Sequence, residues 1–440
     1  MKKIYILLAA LFIATACDSD LDQSPANLAS ADSLTDFEGV LNAAYYYQLG
    51  SVTPLAVMGE FRSDNAVMDE APYTEFDVFT ANLTTMEDQF FGPLYTAMYK
   101  SILSANNVIE NSVDATEIAE AKFLRALSYY KLVKSFGAVT VNLEASPSLT
   151  DTSILARVPA MDVYNNVVIP DLNDAISSLS ATISNGRASK YAAQALLGKV
   201  YAAMGDYASA ASNLGAVVNG AAAAGISLQA NFSDVFGFDN EGNSEIIFAT
   251  QISSSIVDEY GFGSDFWNWF VGDDSKSDFP VDSDLVAAFD ASDATGAADL
   301  RRAVTLSAAG TTAIKFPKDG GNGGEHDWIE IRLADVILLY AEALNETGNT
   351  SGAITQLNKI RNRAGLANTT ATSQAAVKTA ILNERRLELA FEGHRWDDLV
   401  RTNSVNAEMG TTVNSNYYLF PIPISEILAT GGVITQNAGY

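Results

Sequence analysis

The densest set of chemically capable side chains runs from Glu384 to Asp398, where Glu384, Glu388 and Glu392 alternate with Arg385, Arg386 and Arg395 around His394. Paired carboxylates are what glycoside hydrolysis requires, one to protonate the leaving oxygen and one to attack or to activate water. The spacing points elsewhere. Glutamates four residues apart, interleaved with arginines, suit an ion-pair-laced structural helix. No nucleophile motif accompanies them, and two histidines, His326 and His394, cannot make a zinc site alone. Gly320-Gly321-Asn322-Gly323-Gly324 lacks the strand-to-helix setting and the following Lys-Ser/Thr of a phosphate loop. Asp273, Asp274, Asp278, Asp282 and Asp284 raise calcium, but the glycine and terminal glutamate of a helix-loop-helix calcium loop are missing. Solvated acid is the better reading. Catalysis, a metal and a cofactor are therefore not expected, with structural calcium kept as a secondary reading.

Binding chemistry has a stronger candidate. Phe266-Trp267-Asn268-Trp269-Phe270 places four large rings in five residues, flanked by Gly263 and Gly272. Sugars present C–H faces that lie well on flat rings, while Asn, Asp and Arg take their hydroxyls. Such a cluster forms either a satellite core under a long loop or a stacking platform. The platform is the expectation for Trp267 and Trp269. Trp396, within the carboxylate–arginine block, is expected in the core.

Most of the chain that must position these residues shows helical periodicity. Apolar residues recur at three- and four-residue steps over 94–109, 119–136, 162–179, 189–204, 329–344, 351–363 and 374–391. Gly137, Gly205, Gly348 and Gly365 fall just after such runs, where a helix C-cap favours glycine. Ala192 to Val218 and Ala334 to Arg361 share one layout: a helix with small residues, a short turn, and a second helix opening with alanine. That layout resembles the tetratricopeptide hairpin, in which small residues let paired helices approach closely. An irregular stretch at about 220–328, with a strand-like run from Glu245 to Thr250, separates the two units. A second irregular stretch spans 50–82. Both are rich in aromatics, so they read as functional loops and not as disorder.

The N-terminus reads as an export signal. Lys2 and Lys3 precede an apolar run from Ile4 to Ile13, too short to span a bilayer, which takes about 20 apolar residues. Ala14-Thr15-Ala16-Cys17 then leads into the sole cysteine, as in a lipobox, although Ala14 stands where leucine is commoner. The expected arrangement is a signal over 1–16, a lipidated tether over 17–30 and one domain over 31–440. Several acyl chains on Cys17 would anchor the body firmly, at ~0.8 kcal/mol per buried methylene. The first 16 residues carry two of the 26 basic residues and no acidic ones, which leaves 24 against 53 acidic, a net −29. So acidic a body repels phosphate backbones and excludes nucleic acid as a partner.

Taken in order, several motifs resemble the SusD/RagB family of surface nutrient-binding lipoproteins. They are Tyr95 to Tyr99 with Ala105-Asn106-Asn107-Val108-Ile109; Ala121 to Tyr130 leading to Phe136-Gly137; and Gly186-Arg187-Ala188-Ser189-Lys190. Arg332 to Glu342, Leu357 to Arg361 and Arg363 to Leu366 follow. The series closes with Glu384-Arg385-Arg386, Glu392 to Arg401, Phe420-Pro421-Ile422-Pro423 and Gln436 to Tyr440. The resemblance implies an all-α, tetratricopeptide-like fold and a non-catalytic protein of the outer-membrane surface. It further implies glycan capture for a SusC-type TonB-dependent transporter, with transporter gating or a non-glycan ligand such as peptide as the alternatives. Ligand contacts in that family come from an early loop, here Arg62, Asp64, Asn65, Tyr73 and Phe76, and from a later insertion, here Trp267, Trp269 and Phe270.

Overall fold

The computed structural model describes residues 36–148, 151–184, 186–253, 266–271, 277–293, 298–316 and 326–440. Cys17 with its lipobox and tether, Gly263, Gly272, Asp273, Asp274 and the glycine run 320–324 lie outside the described residues. Residues 38–440 form one compact unit.

The fold is all-α. Its principal helices are α1 (Phe37–Tyr46), α2 (Val52–Glu60), α3 (Gly92–Asn111), α4 (Ala115–Phe136), α5 (Ile169–Ser178), α6 (Lys190–Ala203) and α7 (Tyr207–Gly220). They continue with α8 (Ser283–Asp293), α9 (Leu333–Glu346), α10 (Thr350–Arg363), α11 (Gln374–Leu389), α12 (Arg395–Arg401) and α13 (Ile424–Ala429). Side-chain caps start several of them: Asp114 accepts from Thr116 N at 2.7 Å, Ser189 from Ala192 N at 3.1 Å and Asn349 from Gly352 N at 3.0 Å. Gly137, Gly205, Gly348 and Gly365 all take positive φ at the helix ends, which glycine adopts without a Cβ penalty.

The two sequence-related hairpins are α6–α7 and α9–α10. Although about a hundred residues separate them along the chain, α7 packs directly on α9. Successive pairs from α3 to α7, and then α9 to α11, pack side by side, so the array that the sequence interrupts is continuous in space. Small residues set the spacing. A Cβ on Gly198 would fall 2.5 Å from the Leu214 side chain, and one on Gly215 would fall 3.1 Å from Tyr340.

Two short antiparallel pairs decorate the helices: β1 (Val139–Thr140) with β2 (Arg157–Val158), and β3 (Ile246–Thr250) with β4 (Trp328–Arg332). The strand-like run at 245–250 is therefore a strand. Its partner corrects an expectation, because helical periodicity had placed 329–332 in a helix that in fact starts at Leu333. Ile329-Glu330-Ile331-Arg332 alternates apolar and polar residues, and pairing with β3 decides the state of the strand.

The carboxylate–arginine block is structural, and it is buried. Arg332 donates to Glu392 at 2.6 and 2.7 Å, to Glu388 at 2.7 Å and to Glu245 at 2.9 Å. Arg301 joins Asp299, Glu384 and Glu388, and Arg363 pairs with Glu388 and Glu245. Lys315 Nζ donates to Glu392 and to the carbonyls of Glu388 and Ala390. Facing arginines hold Glu388 and Glu392 below the usual carboxylate range despite their burial. This web staples the irregular stretch to α11 through side chains that would be prohibitively desolvated alone. His394 is packed, its imidazole pushed down to about 3 by burial.

Candidate functional site

The early loop begins where α2 ends, and its first residues serve as its foundation. Glu60 is fully buried and accepts from Asn65 Nδ2 and from Gly393 N, both at 2.8 Å. Burial pushes its carboxyl up to about 7. Asp64 takes a two-pronged grip from Arg395, at 2.7 and 2.8 Å, and Arg386 donates to Asn65 Oδ1 and to the Asp64 carbonyl. Arg62 lies in the core, its guanidinium 4.0 Å from the Phe79 ring centre, and donates to the Phe76 carbonyl at 2.7 Å. Desolvation lowers it to about 10.

Seven of the eight expected contact residues are consequently placed otherwise than expected. Asp64 and Asn65 are buried with their polar groups engaged inside the protein, Arg62 is buried with its terminal nitrogens engaged and its Nε unpaired, and Phe76 has no exposed surface. Trp267, Trp269 and Phe270 are 4, 6 and 2% exposed, so no face among them is open to stack a sugar. Trp269 packs edge-on to Tyr73 and Phe90 at 5.3 Å, while Phe270 stacks on Phe61 at 5.2 Å and meets Phe391 at the same distance. The aromatic cluster is part of the main hydrophobic core, and burying rings of this size is itself the reason to bring them together. Tyr73 alone of the eight stays half-exposed.

Over this foundation two segments lie side by side. Ala66 bridges Val281, Val67 N donates to the Pro280 carbonyl at 3.0 Å, and Asp282 N donates to the Asn65 carbonyl at 3.0 Å. The surface they share carries apolar residues that no core consideration requires to be outside. Phe279 is 60% exposed and Val78 51%, while Tyr73 and Phe79 are half-buried. Phe79 sits at a left-handed φ of 51°, a conformation rare for a bulky residue, and its ring packs against Arg62 and Trp396, which also meet each other. The polar groups here are acids. Asp77 accepts from Met68 N, and burial together with Asp282 and Asp69 pushes its carboxyl up to about 7. Asp282 receives the Asp284 amide in a local turn, and among the described residues no cluster of acids, histidines and cysteines gathers to hold a metal ion. Sequence reasoning missed Phe279, Phe79 and Val78. The signal for them was the irregular 50–82 stretch and the isolated Phe279-Pro280 inside an acidic run.

Comparison with known proteins gives a consistent pattern. A family profile described as "SusD family" matches residues 307–412, and a second, "Starch-binding associating with outer membrane", matches 17–202. A SusD-like protein of Formosa agariphila is 28% identical over 100% of both chains. The starch-binding protein SusD of Bacteroides thetaiotaomicron is 36% identical over 121 residues, 25% of this chain and 21% of its own. Among solved structures, a SusD superfamily protein of Parabacteroides distasonis superposes with a TM-score of 0.78 at 23% identity, covering 94% of this chain and 100% of that one. A laminarin-binding SusD-like protein does so with a TM-score of 0.74 at 26% identity, covering 92% and 99%.

Proposed function

Because this chain belongs to the SusD/RagB family, whose members bind ligands and do not catalyse, we propose that it captures a neutral glycan at the outer-membrane surface, on the face formed by residues 67–82 and 277–282. The observation that carries this reading is the set of ring surfaces held outward on a rigid base. Tyr73 and Phe279 offer apolar ring surface, while the frame beneath them is fixed by buried ion pairs and stacked rings. Sugar C–H faces lie on such rings, and Asp69, Asp77 and Asn82 supply acceptors and a donor for hydroxyls. The acids favour a neutral glycan over a uronate, since a second carboxylate would meet like charge.

Few rings on an open face imply modest affinity, ~μM to mM, or about −8 to −4 kcal/mol. Weak capture suits hand-over. The lipid on Cys17 would keep the protein at the surface, and a SusC-type TonB-dependent transporter would receive the glycan. Electrophoresis through gels containing laminarin or starch tests the capture step. Retardation of the native chain, lost in Tyr73→Ala/Phe279→Ala, is the expected result; equal mobility of the native chain in every glycan gel would refute it.

A further inference from the structure

Glu60 differs from the buried carboxylates around it. It has no exposed surface and sits at the end of α2, where it ties three segments together. Asn65 Nδ2 of the early loop and Gly393 N of the turn after α11 both donate to it at 2.8 Å, and the Phe391 amide acts on it as well. Asp64, Glu388 and Glu392 each meet an arginine. Glu60 forms no ion pair among the described residues, and Lys315, the cation that acts on it, is engaged by Glu392. Phe391 and Gly393 take left-handed φ of 66° and 72°. Amides presented by such a turn cradle an anion, which favours the ionised carboxyl. Burial without a counter-charge opposes it and prevails, pushing the group up to about 7.

The same arrangement recurs where the two segments of the loop face lie side by side. Asp77 belongs to one segment and Asp282 to the other, and both are half-buried. Asp282 and Asp69 act on Asp77 against Arg62, while Asp284 and Asp64 act on Asp282 against Arg386. Those arginines are committed elsewhere, Arg62 to the carbonyls of Phe76 and Tyr417 and Arg386 to Asp64 and Asn65. Burial raises both carboxyls, Asp77 to about 7. Unseating the loop would hydrate these groups and return them toward the ordinary carboxylate range of about 4. Unseating therefore releases protons and becomes easier as pH rises.

We propose that the loop face is a proton-linked latch. Residues 61–82 stay seated on α2, on the 391–393 turn and on the 277–282 segment while Glu60 and Asp77 are protonated, and they loosen as these groups ionise above neutrality. The seating is a property of the chain itself. Its consequence, a glycan affinity that falls as pH rises, rests on the capture reading above.

The test is fluorine NMR of the chain from Asp18 onward, labelled with 5-fluorotryptophan and titrated without glycan between about pH 6 and 9. Trp269 packs on Tyr73 and Trp396 on Phe79, so both report the early loop, whereas Trp328 packs on Phe266. Replacing each tryptophan with phenylalanine in turn assigns the signals. Those of Trp269 and Trp396 should shift or broaden together, with a midpoint near pH 7, while that of Trp328 stays in place. In Glu60→Gln/Asp77→Asn, whose amides cannot ionise, both signals should keep their low-pH positions throughout. Asp77→Asn alone, at a half-exposed position, should reduce the change. Invariant Trp269 and Trp396 signals in the native chain would overturn the proposal, as would a titration unchanged in the double variant. Loosening on the acid side would also overturn it, by making ionised Glu60 the anchor. No glycan is present, so failure of capture would leave each of these outcomes as it stands.

Discussion

Arg332 holds Glu245, Glu388 and Glu392 at once, in a place where none of these charges reaches water. Arg332→Met would leave the carboxylates short of their main counter-charge, and breaking a buried pair from one side typically loses about 3–5 kcal/mol. Urea unfolding should show that loss with little change in slope. The tryptophans call for a similar correction of role. Trp269→Ala removes a packed ring, so it should lower stability by about 3–5 kcal/mol, and any loss of ligand should track the unfolded fraction. Titration adds a signature. Glu60 and Asp77 are raised to about 7 and Asp327 to about 6, so the folded state holds their protons more tightly than the unfolded chain. Their contribution improves as pH falls from above 7 through the ordinary carboxylate range. Glu388, Glu392, Asp335, Asp398 and Asp64 are lowered, so theirs is present above that range and is lost as pH falls through and below it. Thermal melts should therefore peak at mildly acidic pH, about 4.5–6; a monotonic rise to pH 8 would contradict these assignments.

Helix α2 reaches its place because two backbones touch. A Cβ on Gly59 would sit 2.4 Å from the Gly393 carbonyl oxygen, and Gly393 itself has φ +72°. Main-chain atoms cannot yield as a side chain does, so Gly59→Ala should lose about 1–3 kcal/mol by overpacking and loosen the Glu60 contact that anchors the loop face. Differential melting of the variant checks this. At this scale the sequence was largely legible. The helices from α3 to α7 and from α9 to α11 were marked by periodicity and glycines, because local rules govern them, whereas α8 lies inside the stretch read as irregular. The start of α9 was misread because β4 depends on a strand some eighty residues away. The site was less legible for the same physical reason. Whether Trp267 stacks a sugar or fills a core depends on what covers it, and Asp64 looks like a free ligand group until Arg395, 331 residues along the chain, closes on it. The early loop was singled out only as a region; which of its side chains face outward was not encoded in residue type.

As a whole the chain carries a net −27 on 440 residues, far from the neutrality at which proteins self-associate. The charges that lie inside are largely paired with one another, as in the α11 web, so the acidic excess of the composition is carried mainly by the surface. Self-repulsion of that surface is screened by salt, with a Debye length of ~10 Å at 0.1 M. Raising sodium chloride from about 20 mM to 0.5 M should therefore raise the melting temperature by a few degrees, since the buried pairs are screened little. The same field would exclude uronates and nucleic acid while leaving neutral glycans unopposed. Capture of such a glycan on the loop face is the central claim, and calorimetric titration of the chain from Asp18 onward with laminarin, starch and a uronate polysaccharide tests it most directly. Binding of a neutral glycan at ~μM to mM is the expected result, abolished in Tyr73→Ala/Phe279→Ala while the melting curve of that variant stays native. Undiminished affinity in that variant, or tight binding of the uronate alone, would contradict it.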